Sequence, residues 1–162
     1  MEKNKTLASA KSYALRLIKF RLRSERELAE KLERKSYPAE TIDAVVFSLK
    51  KARLLDDALF AKLWAESRLK RSYGLARLAY ELKQKGIDKD IIEETLKDLR
   101  QNYSEEETVL RVVRHKIEKM KNLAPEKIRA RLYGFLLRRG YPSNIVIHVL
   151  LNEIGYEKTL HE

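Results

Sequence analysis

Apolar residues recur along the chain at spacings of three and four, which is the period of an amphipathic helix and not of a strand. The first stripe contains Ala10, Tyr13, Leu17 and Phe20. Nine such segments follow one another along the sequence, and short polar turns separate them. The pattern therefore predicts an all-α protein without a sheet.

The apolar pattern returns three times with a period close to 50 residues. A shift of 50 places Leu28, Leu32, Ile42, Val46 and Leu49 on Leu78, Leu82, Ile92, Leu96 and Leu99, and a shift of 54 leads to a third copy. Repeats of this length usually form stacked helical modules, because a unit of roughly 45 residues is too small to bury a sufficient core alone. We therefore expect three tandem three-helix, helix-turn-helix-like repeats in an elongated, curved array, over residues 1–53, 54–102 and 103–162.

Residues with special backbone preferences mark the ends of these helices. A Ser followed three residues later by a Glu is the signature of a capping box, and a Pro fits the first position of a helix. Glycine favours the left-handed conformation that ends many helices. The sequence predicts capping boxes at Ser24 with Glu27 and at Ser104 with Glu107, helix starts at Pro38 and Pro125, and helix ends at Gly86 and Gly140.

The composition excludes several classes of protein. The 162 residues contain no Cys, which excludes disulfide scaffolds, thiol nucleophiles and Cys-ligated zinc sites. The longest apolar runs span about six or seven residues, whereas a membrane span needs roughly 20. No apolar segment typical of a secretory signal is present near residue 1. We expect a soluble, cytoplasmic monomer that does not associate with membranes.

The net charge is strongly positive and unevenly distributed. Lys and Arg number 35 against 24 Asp and Glu, a net charge of +11 that favours an acidic partner such as nucleic acid. The basic excess lies in residues 11–35, 62–85 and 111–139, the first two helices of each repeat. The third helix of repeat 2 is acidic, which argues against reading of a DNA groove by the third helices of repeats 1 and 2. Repeat 3, with Ser143 and Asn144 at that helix start, keeps this possibility open.

Several basic residues occupy matched positions in different repeats. Lys35, Lys85 and Arg139 fall at helix ends, where a cation stabilises the helix dipole and the terminal carbonyls. For Arg21, Arg71, Arg77 and Arg131, contact with a partner and plain solvation are equally open, and Tyr80 beside Arg77 could stack on a base. The candidate partner-binding and nucleic-acid-binding residues are Arg21, Arg23, Arg68, Arg71, Arg77, Tyr80, Lys83 and Arg131.

The sequence shows no catalytic constellation. The three histidines, His115, His148 and His161, lack the spacing of metal ligands, and no phosphate-binding loop is present. The carboxylate pair Asp56-Asp57 precedes a helix and is explained by capping. We therefore expect no catalytic residue, no metal and no cofactor. The aromatic residues on apolar stripes, Phe20, Phe60 and Trp64, are expected in the core.

The motifs collected above resemble a known family. They are Arg23-Ser24, Glu27-Leu28 and Leu32 in repeat 1, and residues 55–61, Trp64, Arg68, Gly74, Leu78, Glu81-Leu82 and 85–87 in repeat 2. This set is similar to RecX, the bacterial regulatory protein of the RecA recombinase, and the resemblance runs from about residue 10 to residue 154. Ser36 departs from the pattern, which prefers Gly at that position.

The resemblance implies a regulator without enzymatic activity. It implies binding to the RecA nucleoprotein filament, and weak, non-specific binding to single- or double-stranded DNA. It also implies inhibition of filament growth, ATP hydrolysis, strand exchange and coprotease function, and thus a role in recombination and SOS control. Two alternatives remain: a helical array that binds nucleic acid by charge alone, and an adaptor for an acidic protein.

Overall fold

The computed structural model describes residues 6–155, which form nine α-helices and no strand. This confirms the all-α fold, and no helix in this range is long and apolar enough to cross a membrane. The helices are α1 (Leu7–Phe20), α2 (Glu25–Glu33), α3 (Ala39–Lys51), α4 (Asp57–Lys70), α5 (Leu75–Gln84), α6 (Lys89–Asn102), α7 (Glu105–Glu118), α8 (Pro125–Arg138) and α9 (Ser143–Ile154).

The chain forms two compact units that share the three middle helices. The N-terminal unit comprises Met1–Trp64 and Glu81–Thr95, and the C-terminal unit comprises Ala65–Tyr80 and Leu96–Glu162. The division passes through α4, α5 and α6, so each unit contains part of every helix of repeat 2. The boundaries of the three repeats along the sequence stay a prediction.

The N-terminal unit has a core of small and branched apolar side chains from α1, α2 and α3. Its fully buried members are Ala10, Ala14, Leu28, Leu32, Val45 and Leu49. Phe60 is also buried, and its ring stacks on Trp64 at 5.7 Å between centroids, which confirms the core placement expected for Phe60. The expectation for Phe20 is wrong: this residue is the last of α1 and is 87% exposed, because the helix ends before the stripe reaches a neighbour.

The core of the C-terminal unit lies among α7, α8 and α9. Its buried members include Val109, Val113, Leu132, Leu136, Val146 and Leu150. Tyr141 is only 3% exposed, and its hydroxyl lies 3.4 Å from that of Tyr103. Burial raises the pKa of Tyr141 far above its ordinary value, with the contact to Tyr103 adding to the effect. This tyrosine is therefore a neutral core residue.

The middle helix of every repeat ends in the same backbone motif. Gly86 and Gly140 have φ values of +76° and +86°, which confirms the left-handed ends expected there. Ser36 occupies the matching position and adopts φ +59°. In each case the amide of the following residue donates to a carbonyl five residues back, for example Ile87 to Leu82. This is the Schellman arrangement, and it requires the left-handed residue.

Two predicted helix starts differ in detail. Ser24 Oγ accepts from the Glu27 amide at 3.1 Å, as a capping box requires, but the Glu27 carboxylate pairs with Arg21 and Lys85. Pro38 precedes α3 as its N-cap residue and is not its first helical residue. Pro125 does occupy the first position of α8. The capping and proline patterns in the sequence thus identify where a helix starts, but they do not predict every hydrogen bond there.

Carboxylates from the first helix of one repeat cap the second helix of the preceding repeat. Asp57 Oδ1 accepts a 2.8 Å hydrogen bond from the Glu25 amide at the start of α2. Glu105 Oε1 accepts a 2.8 Å hydrogen bond from the Leu75 amide at the start of α5. Asp56 caps its own helix through the Leu59 amide at 2.9 Å. Asp57 therefore links two repeats, whereas Asp56 acts within its own helix.

A second contact joins successive middle helices end to end. In the N-terminal unit, the buried Ser24 hydroxyl donates to the Lys85 carbonyl at 2.6 Å. In the C-terminal unit, the Gly74 amide donates to the Arg139 carbonyl at 2.8 Å. A Cβ atom on Gly74 would lie 2.3 Å from the Gly140 carbonyl oxygen, so only glycine permits this approach. We call this contact the helix-end joint. It brings Lys85 at the end of α5 to the start of α2, and Arg139 at the end of α8 to the start of α5.

Candidate nucleic-acid and partner interface

Three of the eight candidate residues lie in the N-terminal unit, and two of them are engaged internally. Arg21 pairs with Glu27 at 3.0 Å and also donates to the Leu22 carbonyl. Arg23 is half-buried and its Nε lies 3.4 Å from the Leu17 carbonyl; burial, with Arg21 nearby, lowers its pKa. Lys83 is exposed on α5. Of these three candidates, Arg21 and Lys83 are exposed, and only Arg23 is half-buried.

Lys85 belongs to a half-buried cluster in the N-terminal unit. Its Nζ lies 2.6 Å from Glu27 Oε1 and 4.1 Å from the centroid of the Trp64 ring. Burial alone would raise the pKa of Glu27, but hydrogen bonds from Arg21 and Lys85 outweigh this effect and hold that pKa below its ordinary value. The cluster therefore keeps an ionised carboxylate between two cations and serves the fold.

The other five candidates lie in the C-terminal unit. Arg71, Arg77 and Arg131 are exposed, and Tyr80 is 55% exposed. The Arg77 guanidinium carbon lies 5.7 Å from the centroid of the Tyr80 ring, one helical turn away on α5. Arg68 is half-buried, with its guanidinium 5.5 Å from the Tyr73 ring centroid. The structure therefore brings Arg77 and Tyr80 together, and it places Arg68 against an aromatic ring.

A surface groove of about 740 Å³ contains the Arg77 and Tyr80 pair. Its walls carry three rings and three cations, from Tyr73, Tyr80, Phe135, Arg77, Arg138 and Arg139. We call it the aromatic groove. None of the described residues that line it is acidic. Its walls therefore combine flat apolar surface with positive charge.

A second groove of about 450 Å³ adjoins the first and shares Phe135 and Arg139 with it. Its own polar residues are Ser72, Arg111, His115 and Lys116, and we call it the basic groove. The Lys116 ammonium lies 4.2 Å from the centroid of the Phe135 ring. Acidic side chains are absent from the described lining of this groove as well. The two grooves thus form one positively charged surface within the C-terminal unit.

Arg139 holds the boundary between the two grooves in place. Its guanidinium lies 4.7 Å from the ring centroids of both Tyr73 and Phe135. It also donates to the carbonyls of Arg71 and Ser72 at the end of α4. The matched residues Lys35 and Lys85 lie against Tyr13 and Trp64. All three cations lie against aromatic rings, and Arg139 alone of the three also donates to carbonyls that follow another helix. The helix-dipole role expected for them stays a prediction.

The sequence analysis missed the residues of α7 and α8 that complete this surface. Arg111, Lys116, Phe135 and Arg138 were part of a basic stretch but were not singled out. Their alignment depends on which faces of α7 and α8 meet, and the spacing along one helix does not give that. The sequence signal available was the high density of cations in residues 111–139, together with an aromatic residue of α8 outside the repeat pattern.

The histidines do not assemble into a site within the described residues. His148 lies 3.5 Å from Glu106 and 3.1 Å from Asn152, and His115 lines the basic groove. Residues 6–155 contain no group of three or more side chains placed to hold a metal ion. His161 lies outside the described residues.

Family models match the chain in three consecutive segments. Residues 10–49 match the first three-helix domain of RecX, residues 56–96 match the second, and residues 104–150 match the third. Each segment covers most of three consecutive helices of the structure. The family pattern found in the sequence is thus confirmed over most of the chain.

Similar proteins and similar structures carry the same name. A protein named Regulatory protein RecX from Amycolatopsis mediterranei (strain U-32) is 35% identical, covering 93% of this chain and 88% of that protein. The protein of that name from Mycobacterium avium (strain 104) is 36% identical, covering 92% and 87%. The crystal structure of RecX from Lactobacillus salivarius matches with a TM-score of 0.75 at 17% identity, over 90% of this chain and 95% of that one. From three matched domains, these relatives and the shared fold, we conclude that the chain belongs to the RecX family of regulatory proteins.

Proposed function

We propose that this protein binds the RecA nucleoprotein filament and inhibits its growth, ATP hydrolysis, strand exchange and coprotease activity. Membership of the RecX family supports the choice of RecA as partner, because the sequence motifs resemble a regulator of that recombinase. The proposed place of action is the cytoplasm, where the protein modulates recombination and the SOS response as a monomer. It acts by binding, without catalysis of its own.

The observation that carries the proposal is the positively charged surface of the C-terminal unit. The aromatic and basic grooves bring together Arg77, Arg138, Arg139, Arg111 and Lys116, and no acidic residue is part of their described lining. A RecA filament contains DNA, and its phosphates present the negative charge that such a surface attracts. Arg71 and Arg131, both exposed, add to the charge of the same unit.

The test is the rate of ATP hydrolysis by RecA on single-stranded DNA, measured as this protein is titrated into the reaction. We expect the rate to fall with increasing concentration. A rate that stays unchanged while the protein is folded and in excess contradicts the proposal. Binding to preassembled RecA filaments, measured by co-sedimentation, distinguishes a filament regulator from an adaptor for another acidic protein.

A pair of matched variants tests whether the position of the charge matters. Arg71→Glu, Arg77→Glu and Arg131→Glu together change the net charge by −6, from +11 to +5. Lys51→Glu, Lys89→Glu and Lys97→Glu make the same change at exposed positions of α3 and α6. Exposed substitutions usually alter stability by no more than about 0.5 kcal/mol each. We expect the first variant to lose most of its inhibition and the second to retain it; equal inhibition by both overturns the role of this surface.

The second candidate function is sequence-independent binding to nucleic acid without RecA. The net charge of +11 and the absence of acidic residues from the described lining of the grooves favour it. Under this alternative, the protein would bind naked DNA and RecA-coated DNA in proportion to the exposed phosphate. Tighter binding to the RecA filament than to the same naked strand rejects it.

A further inference from the structure

We propose that the aromatic groove binds single-stranded nucleic acid by stacking a base on Tyr80, while the phosphates continue along the basic groove. The inference rests on the DNA contact of the proposed function and deepens it. It assigns a preference for the single strand, whereas charge alone favours the duplex with its higher density of phosphates.

The exposure of Tyr80 is the first support. Its side chain is 55% exposed although it lies at the edge of a groove with two other rings, those of Tyr73 and Phe135. Tyr73 and Phe135 are only half-buried themselves and lie against Arg139 at 4.7 Å. The groove thus keeps apolar, flat surface in contact with water, and a nucleobase covers such surface by stacking.

The position of the cations is the second support. Arg77 lies beside the Tyr80 ring, and Arg138 lines the same groove. The basic groove continues from Phe135 and Arg139 to Arg111 and Lys116. A single strand exposes its bases and its phosphates together, so it can meet the rings and the cations at the same time. In a duplex the bases are stacked on each other, and only the phosphates are available to this surface.

The chemistry of the lining favours nucleic acid over an acidic segment of a protein. Carboxylates would pair with Arg138 and Lys116 but would leave the exposed ring of Tyr80 uncovered, whereas the rings of Tyr73 and Phe135 already lie against Arg139. Bases provide flat partners of any sequence, which agrees with binding that does not depend on sequence. The acidic protein segment remains as an outcome of the test.

The experiment measures fluorescence anisotropy of a labelled oligothymidine and of a duplex of equal length, with the full chain and without RecA. The Tyr80→Ala variant removes the ring, Tyr80→Phe retains it, and Phe47→Ala removes a ring that is 70% exposed on α3 as a matched control. Circular dichroism and thermal melting establish that every variant is folded.

We expect Tyr80→Ala to weaken binding to oligothymidine by roughly 5- to 100-fold, which corresponds to the stacking of one base. The duplex should be affected far less, and both Tyr80→Phe and Phe47→Ala should bind the single strand like the parent. Equal losses for the single strand and the duplex, or no loss for either, overturn the inference.

A parallel measurement of RecA inhibition separates this inference from the proposed function. If Tyr80→Ala binds oligothymidine like the parent and still inhibits RecA ATP hydrolysis, the stacking site is rejected and the proposed function stands. If it binds oligothymidine like the parent but no longer inhibits RecA, the groove contacts a protein surface, which also rejects the stacking site. If the parent does not inhibit RecA but prefers the single strand through Tyr80, the proposed function fails alone.

Discussion

At the scale of single residues, backbone conformation explains why glycine is more favourable than serine at three matched helix ends. Ser36, Gly86 and Gly140 all end a middle helix in the left-handed region. Serine has a Cβ atom, which makes that region costly, whereas glycine adopts it freely. The chain therefore carries a small strain at Ser36 that the other two repeats avoid.

We predict that Ser36→Gly stabilises the protein by up to about 1 kcal/mol, because it removes the steric cost of φ +59° at an exposed site. Urea denaturation followed by circular dichroism measures the free energy of unfolding. The control Ser67→Gly lies at an exposed position inside α4 and should lose about 0.5 kcal/mol through helix propensity. A loss of stability at Ser36 would contradict the strain at this position.

The titration of Asp57 should make the free energy of unfolding depend on pH. Burial raises its pKa, although its hydrogen bond from the Glu25 amide acts in the opposite direction. A raised pKa means that protonation of Asp57 stabilises the folded state. This contribution to the free energy of unfolding is fully present below the pKa that Asp57 has in the unfolded chain. It is lost as the pH rises through the higher pKa of the folded protein.

We predict that Asp57→Asn gains stability relative to the parent as the pH rises from about 3 to about 7, because asparagine keeps the oxygen acceptor without a buried charge. Urea denaturation at several pH values gives the difference in the free energy of unfolding. Asp57→Ala removes the acceptor as well and should lie about 1 kcal/mol below Asp57→Asn throughout this range. A difference between Asn and Asp that does not change with pH would contradict the burial effect.

At the scale of helices, the helix-end joint controls how closely consecutive middle helices approach. The Gly74 amide bonds to the Arg139 carbonyl, and the missing side chain of Gly74 permits contact with Gly140. Asp57 and Glu105 support the same regions by capping a helix of the preceding repeat. Among residues 6–155, no carboxylate caps α8 in this way; α8 begins with Pro125, which leaves one amide fewer to satisfy.

We predict that Gly74→Ala destabilises the protein by about 1–3 kcal/mol, because its Cβ would lie 2.3 Å from a backbone oxygen that cannot move freely. Gly134→Ala is the matched control inside α8. There the new Cβ would meet only the flexible end of Arg138 at 3.2 Å, and helix propensity should add about 0.5–1 kcal/mol. Thermal unfolding followed by circular dichroism compares both variants; equal effects would reject the close approach at Gly74.

At the scale of the whole molecule, the charge of +11 should dominate the affinity for nucleic acid. We predict a plot of log affinity against log salt concentration with a slope of about −3 to −5, as expected if roughly 4–6 phosphates are neutralised. Anisotropy titrations on naked DNA at several salt concentrations give the slope. A slope near zero, or a sharp preference for one duplex sequence, is incompatible with binding through phosphate contacts.

The sequence by itself determined the nine helices, the repeat of their apolar positions and the family. The helices and their repeat follow from local chemistry: helical periodicity places Leu28, Leu78 and Leu132 in the core, and glycine marks the ends of α5 and α8. The family follows from the resemblance of the motifs. The charge of the first two helices of each repeat is equally visible in the sequence, because it is a sum over neighbouring residues.

Only the tertiary structure decided which charged side chains are used inside the fold and which face the solvent. Arg21 and Arg71 occupy matched positions and are both exposed, but Arg21 is held by an ion pair with Glu27 from α2. Phe20 continues an apolar stripe but, as the last residue of α1, is exposed to solvent. The grooves around Phe135 and Arg139 depend on how α5, α7, α8 and the turn that follows α4 meet. Periodicity fixes the face of one helix, and contacts between residues distant in sequence determine what that face meets.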